Sequence, residues 1–261
     1  MPNQGASLVC NYEKWSGLGN DFILLEALPR DTAPASWCDG SRGLSADGLL
    51  LVEPPTDGPA RMTIFNRDGS RPEMCGNGLR CAVRYLVERG HDLSNGIDSD
   101  AGRHQVGALD EKAVTVTVGE PRWWTETGGE LQALDSLKFF GVDVGNPHAV
   151  FFDVGPEAAL LDVGHRMQSD ARFPDGTNVH FVDGHDHRLQ VRHFERGVGI
   201  TQACGTGAAA VAWAAVETQR SQWPVDTHLP GGLLRFEAAA NGQLWMTGPA
   251  HRIAQGPLGL G

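Results

Sequence analysis

Two short segments share a cysteine followed by spaced glycines: Cys75-Gly76-Asn77-Gly78 and Cys204-Gly205-Thr206-Gly207. Each leads into a run with helical character. The first continues from Leu79 to Glu88 and meets Gly90, a residue suited to closing a helix at C′. The second, Ala208 to Val216, is small and apolar over about three turns, as expected of a helix buried on every side. A thiol in a first helical turn feels the positive end of the macrodipole, worth about 0.3–1 kcal/mol and up to ~2 when partly buried. At about 1.36 kcal/mol per pK unit, this brings a thiol of ~8.5 down by about one unit, where a base is both available and still basic. One such cysteine suggests a nucleophile. Two that face one carbon suggest a proton removed from one side and another delivered to the opposite side, which inverts a stereocentre. An amino-acid α-proton is far less acidic than a thiol, so most of the help must come from stabilising charge on the substrate carboxylate. Unpaired backbone N–H groups at helix starts are suited to that. Gly76, Gly78, Gly205 and Gly207, lacking Cβ, would let the backbone approach a ligand.

The elements that must hold these starts in place read as short strands. Phe22–Leu25, Gly48–Val52, Met62–Phe65 and the alternating β-branched run Val114–Val118 are strand-like in the first half. Phe139–Val144, Ala149–Phe152, Val179–Val182, Leu189–Phe194 and Leu233–Glu237 are strand-like in the second. Asp183-Gly184 and Asn241-Gly242 are hairpin-turn signals. The halves repeat. Phe65-Asn66-Arg67 is matched 129 residues later by Phe194-Glu195-Arg196, and Gly19-Asn20 is matched 126 residues later by Gly145-Asn146. Duplicated halves are expected to pack about a pseudo-twofold axis, with the two cysteine-bearing starts facing one cleft. Gly119-Glu120-Pro121 breaks the run of strands. The predicted domains are therefore 1–119, rejoined by 249–261, and 120–248, with Trp123-Trp124 as packing at the hinge.

The 261 residues are 41% apolar and 20% charged, an ordinary globular composition, and the net charge is -11. So acidic a surface argues against nucleic acid and anionic membranes as partners. No apolar run approaches the ~18 residues of a membrane helix, and Met1 to Trp15 does not read as a signal peptide. The odd, sparse set Cys10, Cys38, Cys75, Cys81 and Cys204 does not read as a disulfide framework, which predicts a cytoplasmic protein. None of Lys14, Lys112 and Lys138 lies in a phosphate-cradling context, which argues against pyridoxal phosphate.

Taken in order, Gly17-Leu18-Gly19-Asn20-Asp21-Phe22, Ile64 to Ser70, Met74 to Gly78, Gly145-Asn146-Pro147-His148, Phe173-Pro174 through Asn178, Glu195-Arg196-Gly197 and Ala203 to Gly207 resemble diaminopimelate epimerases. The resemblance implies an α+β fold of two pseudo-symmetric domains, each a curved, mostly antiparallel sheet around a central helix, with the active site between them. It implies interconversion of LL- and meso-diaminopimelate in lysine and peptidoglycan-precursor synthesis, with no cofactor and no metal. Residue by residue, Cys75 and Cys204 match the catalytic pair. Gly76, Asn77, Gly205 and Thr206 match the carboxylate-binding helix starts. Asn20, Asn66, Asn146, Asn178 and Arg196 match substrate contacts, and His148 and Glu195 match residues that adjust the thiols, Glu195 also reaching the substrate. Such a site is chemically sensible, with Arg for a carboxylate, Glu for an ammonium and amides for the rest. The chain departs from the family at Ile200, where Glu is frequent, and at Gly48, read as a loop position with a polar contact in some members. Ala254 lies near an aromatic position that helps members pair, so the homodimer is left open.

Plainer roles remain for other residues. Cys81, Cys10 and Cys38 read as core residues. His180, His185, His187 and His193 invite a metal reading, but His185-Asp186-His187 follows a turn signal and reads as a hairpin. The rival functions are another thiol-dependent racemase, of proline, hydroxyproline or histidine type, and a non-catalytic amino-acid-binding relative. Proline-type members resemble Cys-Gly-His-Gly at the first helix, where this chain has Asn77.

Overall fold

The computed structural model describes residues 8–42, 44–154, 158–184 and 186–260. In chain order the strands and helices are β1 (Leu8–Gly17), β2 (Asn20–Leu25), β3 (Gly48–Glu53), β4 (Ala60–Asn66), α1 (Gly76–Glu88), β5 (Ile97–Ser99), β6 (Gly102–His104), β7 (Val106–Leu109), β8 (Ala113–Val118), β9 (Arg122–Trp123), β10 (Gln132–Leu134), β11 (Leu137–Asp143), β12 (Pro147–Phe152), α2 (Ala158–Met167), β13 (Asn178–Asp183), β14 (Arg188–Glu195), β15 (Gly199–Thr201), α3 (Gly205–Glu217), β16 (Val225–Leu229), β17 (Gly232–Ala238), β18 (Leu244–Pro249) and β19 (His251–Leu260). The chain forms two compact units, 1–103 with 250–261, and 104–249.

In the first unit the sheet order is β19-β1-β2-β3-β4-β5-β6. A hairpin joins β1 to β2. The chain then crosses over so that β3 lies parallel to β2, and β4 returns antiparallel to β3. Side chains alternate across the sheet. Ile23, Leu25 and Leu49 meet Trp37, Cys38, Leu44 and Ala46 of the crossover in one cluster. The other face receives α1, which lies against β1 to β4. This helix is buried from Gly76 to Leu86 although it carries Arg80 and Arg84.

The second unit repeats that plan within a longer sheet, β10-β11-β12-β13-β14-β16-β17-β18-β8-β7, with β15 and β9 paired to β14 and β11. Here β11 and β12 form the hairpin, β13 lies parallel to β12, and β14 returns antiparallel. The crossover carries α2, a helix not expected from the sequence. Phe139, Phe151, Val179, Phe181 and Phe194 pack with Leu160, Val163, Met167 and Phe173 on that face. The opposite face holds α3, against β11 to β14, β16 and β17. Strands covered on both faces lose the apolar-polar alternation and read as continuous apolar runs, which is why they were legible as short runs alone.

Three expectations need correction. The division of the chain falls at residue 103, not 119, because β8 pairs along its length with β18 in the second unit. The break at Gly119-Glu120-Pro121 does not part the units, because β9, which follows it, pairs with Val142 and Asp143 within the second. Trp123 and Trp124 accordingly pack inside the second unit, Trp123 on Trp213 and Phe140, Trp124 on Phe173 with its ring N–H donated to Arg172 O at 2.8 Å.

Candidate active site

Both cysteines occupy the N-cap of a 13-residue helix in extended conformation, Cys75 at φ −142°, ψ 113° and Cys204 at φ −125°, ψ 109°. Their carbonyls accept the first helical bonds, from Leu79 N at 2.8 Å and Ala208 N at 2.9 Å. The sulfur of Cys204 also accepts from Gly207 N at 3.4 Å, a bond that favours negative charge there. Two of the glycines answer to the sheet beneath. A Cβ on Gly78 would lie 3.0 Å from Leu50 Cδ2, and one on Gly207 only 2.2 Å from His180 Cε1. Strand register makes Leu50 and His180 equivalent, since Leu50 pairs with Ile64 and His180 with His193. The close approach predicted for a ligand at these two positions is thus made by a strand side chain.

Around Cys75 the structure gathers Asn20, Asn77 and a residue the sequence reading did not single out, Arg80. The Arg80 guanidinium is fully buried and donates to Asn77 Oδ1 at 2.8 Å and to Gly76 O at 3.2 Å. Asn77 Nδ2 in turn donates to Asn20 Oδ1 at 2.6 Å. Burial lowers Arg80 to about 10, and the sulfurs of Cys81 and Cys75 oppose that by attracting its charge. The same attraction favours negative charge on Cys75. An arginine among small and apolar residues of a buried helix, five positions after the cysteine, was the signal available. Asn66, at the exposed end of β4, donates from Nδ2 to Ser70 Oγ at 2.9 Å. Cys81 is fully buried, and that burial pushes its thiol up to about 12, so it is inert at neutral pH. Gly48 is not in a loop: it opens β3, pairs with Phe22 and Asn66, and a Cβ there would sit 2.8 Å from Phe65 O.

Around Cys204, Thr206 Oγ1 lies 3.7 Å from the sulfur. Glu195 hydrogen bonds both Thr201, at 2.6 Å, and Cys204. Burial pushes the Glu195 carboxyl above its usual value, and those two bonds pull the other way. A carboxylate accepting from the thiol favours S–H, whereas Gly207 N–H favours S⁻, so this sulfur has support in both forms. Asn178, 5% exposed, accepts from Arg196 N at 3.0 Å and donates to Pro147 O at 3.1 Å. The Arg196 guanidinium donates to Asp175 O at 3.0 Å. His148 is fully buried, with Nε2 2.9 Å from Asn146 Oδ1 and Nδ1 2.9 Å from His180 Nε2. His180 Nδ1 continues to His193 Nδ1 at 2.7 Å. His180 and His193, which in the sequence invite only a metal reading, alternate with the core residues Val179, Phe181 and Phe194 on two strands and so lie on the helix-facing side. His185 lies outside the described residues. Ile200 is half exposed on β15, paired with Phe194, and Ala254 is exposed on β19, paired with Lys14.

The whole-chain architecture matches solved structures at low sequence identity. A PhzF-family phenazine biosynthesis protein from Bacillus anthracis superposes with a TM-score of 0.67 at 15% identity, covering 96% of this chain and 99% of the other. A hydroxyproline epimerase from Agrobacterium vitis gives 0.65 at 14% identity, over 97% of this chain and 93% of that one. The fold class is therefore the two-domain, sheet-dominated one shared by these proteins. Closer kinship comes from sequence. The model of the family described as diaminopimelate epimerase matches residues 12–124 and 140–253. Diaminopimelate epimerases of Geobacillus thermodenitrificans (38% identical, 94% of this chain and 95% of the relative) and Bacillus subtilis (37%, 94% and 97%) align over nearly the full length. The chain belongs to the diaminopimelate epimerase family.

Proposed function

We propose that this enzyme interconverts LL- and meso-diaminopimelate without a cofactor, as a step of lysine and peptidoglycan-precursor synthesis in the cytoplasm. Cys75 and Cys204 are its two acid-base groups. The observation that carries this reading is the pair of thiols, each at the N-cap of a buried helix in a repeated half, one beside a guanidinium and the other beside a carboxylate. One sulfur, as thiolate, takes the α-hydrogen; the other, as thiol, returns a hydrogen to the opposite side. The carbon is inverted, and the two sulfurs have exchanged protonation states. Charge developing on the α-carboxylate is met by the N–H groups at Gly76, Asn77, Gly205 and Thr206. Asn20, Asn66, Asn146, Asn178, Glu195 and Arg196 hold the remaining amino and carboxylate groups, while His148 and Glu195 adjust the reacting end.

The test is hydrogen exchange in deuterium oxide, followed by mass spectrometry and chiral separation. Wild-type enzyme is expected to place deuterium at the α-carbon as it equilibrates the isomers. Cys75→Ala and Cys204→Ala are each expected to lose epimerisation entirely. Normal turnover by either variant would defeat the two-base scheme, and a preference for a monocarboxylic amino acid would defeat the substrate.

A further inference from the structure

The three buried imidazoles beneath α3 have no counterpart in the first unit. Strand register equates His148, His180 and His193 with Phe22, Leu50 and Ile64. The sheet face against α1 is therefore apolar where the face against α3 is polar. A fully buried cluster of this kind is costly unless every nitrogen has a partner.

We propose that His180 and His193 are positioning residues which, through His148, form a one-way chain of N–H donors that turns the Asn146 carboxamide so that its NH2 group faces the substrate carboxylate. This rests on the reading of Asn146 as a substrate contact. A neutral imidazole has one N–H and one lone pair, so three in series can run in only two senses. In one sense His193 Nδ1 donates to His180 Nδ1, His180 Nε2 donates to His148 Nδ1, and His148 Nε2 donates to Asn146 Oδ1, over 2.7, 2.9 and 2.9 Å. The group left over is a bare lone pair on His193 Nε2, which is buried and has no hydrogen-bond partner. In the opposite sense the same atom would carry a buried N–H with no acceptor. Asn146 would also present its oxygen to an anion. Orphaned buried N–H groups are the rarer defect, so the first sense is favoured. Burial holds all three rings below their usual pKa, so none carries a second proton at neutral pH that would spoil the polarity.

The first unit reaches the same end with different groups. Asn20 follows Gly19 as Asn146 follows Gly145, at φ 86° and 89°. Arg80 can only donate, so Asn77 must turn its oxygen to Arg80 and its NH2 to Asn20 Oδ1. The Asn20 carboxamide is then left with its own NH2 to offer. A guanidinium on the helix sets the polarity in one half, and imidazoles on the sheet set it in the other.

The chain is read directly from the ring-nitrogen correlation spectrum of full-length enzyme labelled with 15N-histidine. His148 and His180 are expected to be protonated at Nε2 alone and His193 at Nδ1 alone. A proton on His148 Nδ1, or on His193 Nε2, would overturn the proposal. Kinetically, His180→Leu, which installs the first unit's residue, is expected to raise KM for diaminopimelate about tenfold with kcat held within about threefold, the loss of one charge-assisted hydrogen bond in binding. His180→Gln, whose amide can still donate to His148, should restore KM. An unchanged KM in His180→Leu would reduce the residue to packing and overturn the role. Wild-type enzyme inactive on diaminopimelate would instead fail the substrate reading, and the spectrum would still decide the chain.

Discussion

Cys75 and Cys81 sit on one helix and differ in everything but atom type. Cys75 is the N-cap beside Arg80, whereas Cys81 lies six residues further along, with its thiol pushed up to about 12 by burial. Cys81→Ala should therefore keep full turnover while lowering stability by about 0.5–1.5 kcal/mol, the ordinary cost of a small core truncation, read by urea unfolding beside the activity assay. Their opposite settings were legible, because one cysteine precedes spaced glycines and the other is flanked by Arg80, Ala82 and Val83 in helical phase. Arg80 itself was not legible as a site residue, since nothing in a linear pattern says that a guanidinium will be buried against Asn77 rather than extended into water.

At the scale of elements, both cysteine-capped helices end alike. In α1 the residue after the cap is Gly90 at φ 81°, and His91 N reaches Leu86 O at 3.2 Å. In α3 the same place is taken by Gln219 at φ 59°, with Arg220 N bonded to Ala215 O at 2.7 Å. Both are Schellman closures, but only the first uses the residue that adopts this conformation freely. Gln219→Gly is expected to stabilise the protein by about 0.5–1 kcal/mol in thermal or urea unfolding, because the position is exposed and loses only strain. The helix starts should respond unequally to an added methyl. Gly207→Ala must displace the His180 ring and should cost about 1–3 kcal/mol, whereas Gly78→Ala meets only the movable end of Leu50 and should cost less, as unfolding of the pair would show. Helix α2 escaped the reading because it lies in a crossover, where packing against Phe181 and Phe194 rather than a strong local pattern makes it form.

Across the whole molecule, the buried histidines predict how stability answers to acid. Burial lowers His148 and His193 from 6.5 to about 3, with His193 and Arg196 adding repulsion at His148, and it holds His180 well below its usual value, with His193 and His148 adding repulsion there. Below pH 6.5 the unfolded chain takes up protons that the folded one refuses, so their contribution is complete above that pH and is lost as pH falls toward 3. Each histidine adds a slope of about 1.4 kcal/mol per pH unit. Glu195, raised from 4.5 by burial, opposes the trend just above that pH. Melting curves between pH 7.5 and about 5 should show a steep loss in wild type. A His148→Phe, His180→Leu, His193→Ile variant, carrying the first unit's residues, should be flatter.

The sequence by itself determined the family, the duplication, both cysteine-led helices and most strands, because these follow from contiguous residues: a cap, a glycine, a run of apolar side chains. Only the tertiary structure decided where one unit ends and the other begins, since backbone pairing between β8 and β18 joins residues far apart in the chain. It also decided which polar residues go inside. His180 and His193 are held in the interior by partners on neighbouring strands, and Arg80, bonded to Gly76 and Asn77 one turn earlier, is buried only because its helix packs on the sheet, so the free energy of each depends on the packing around it.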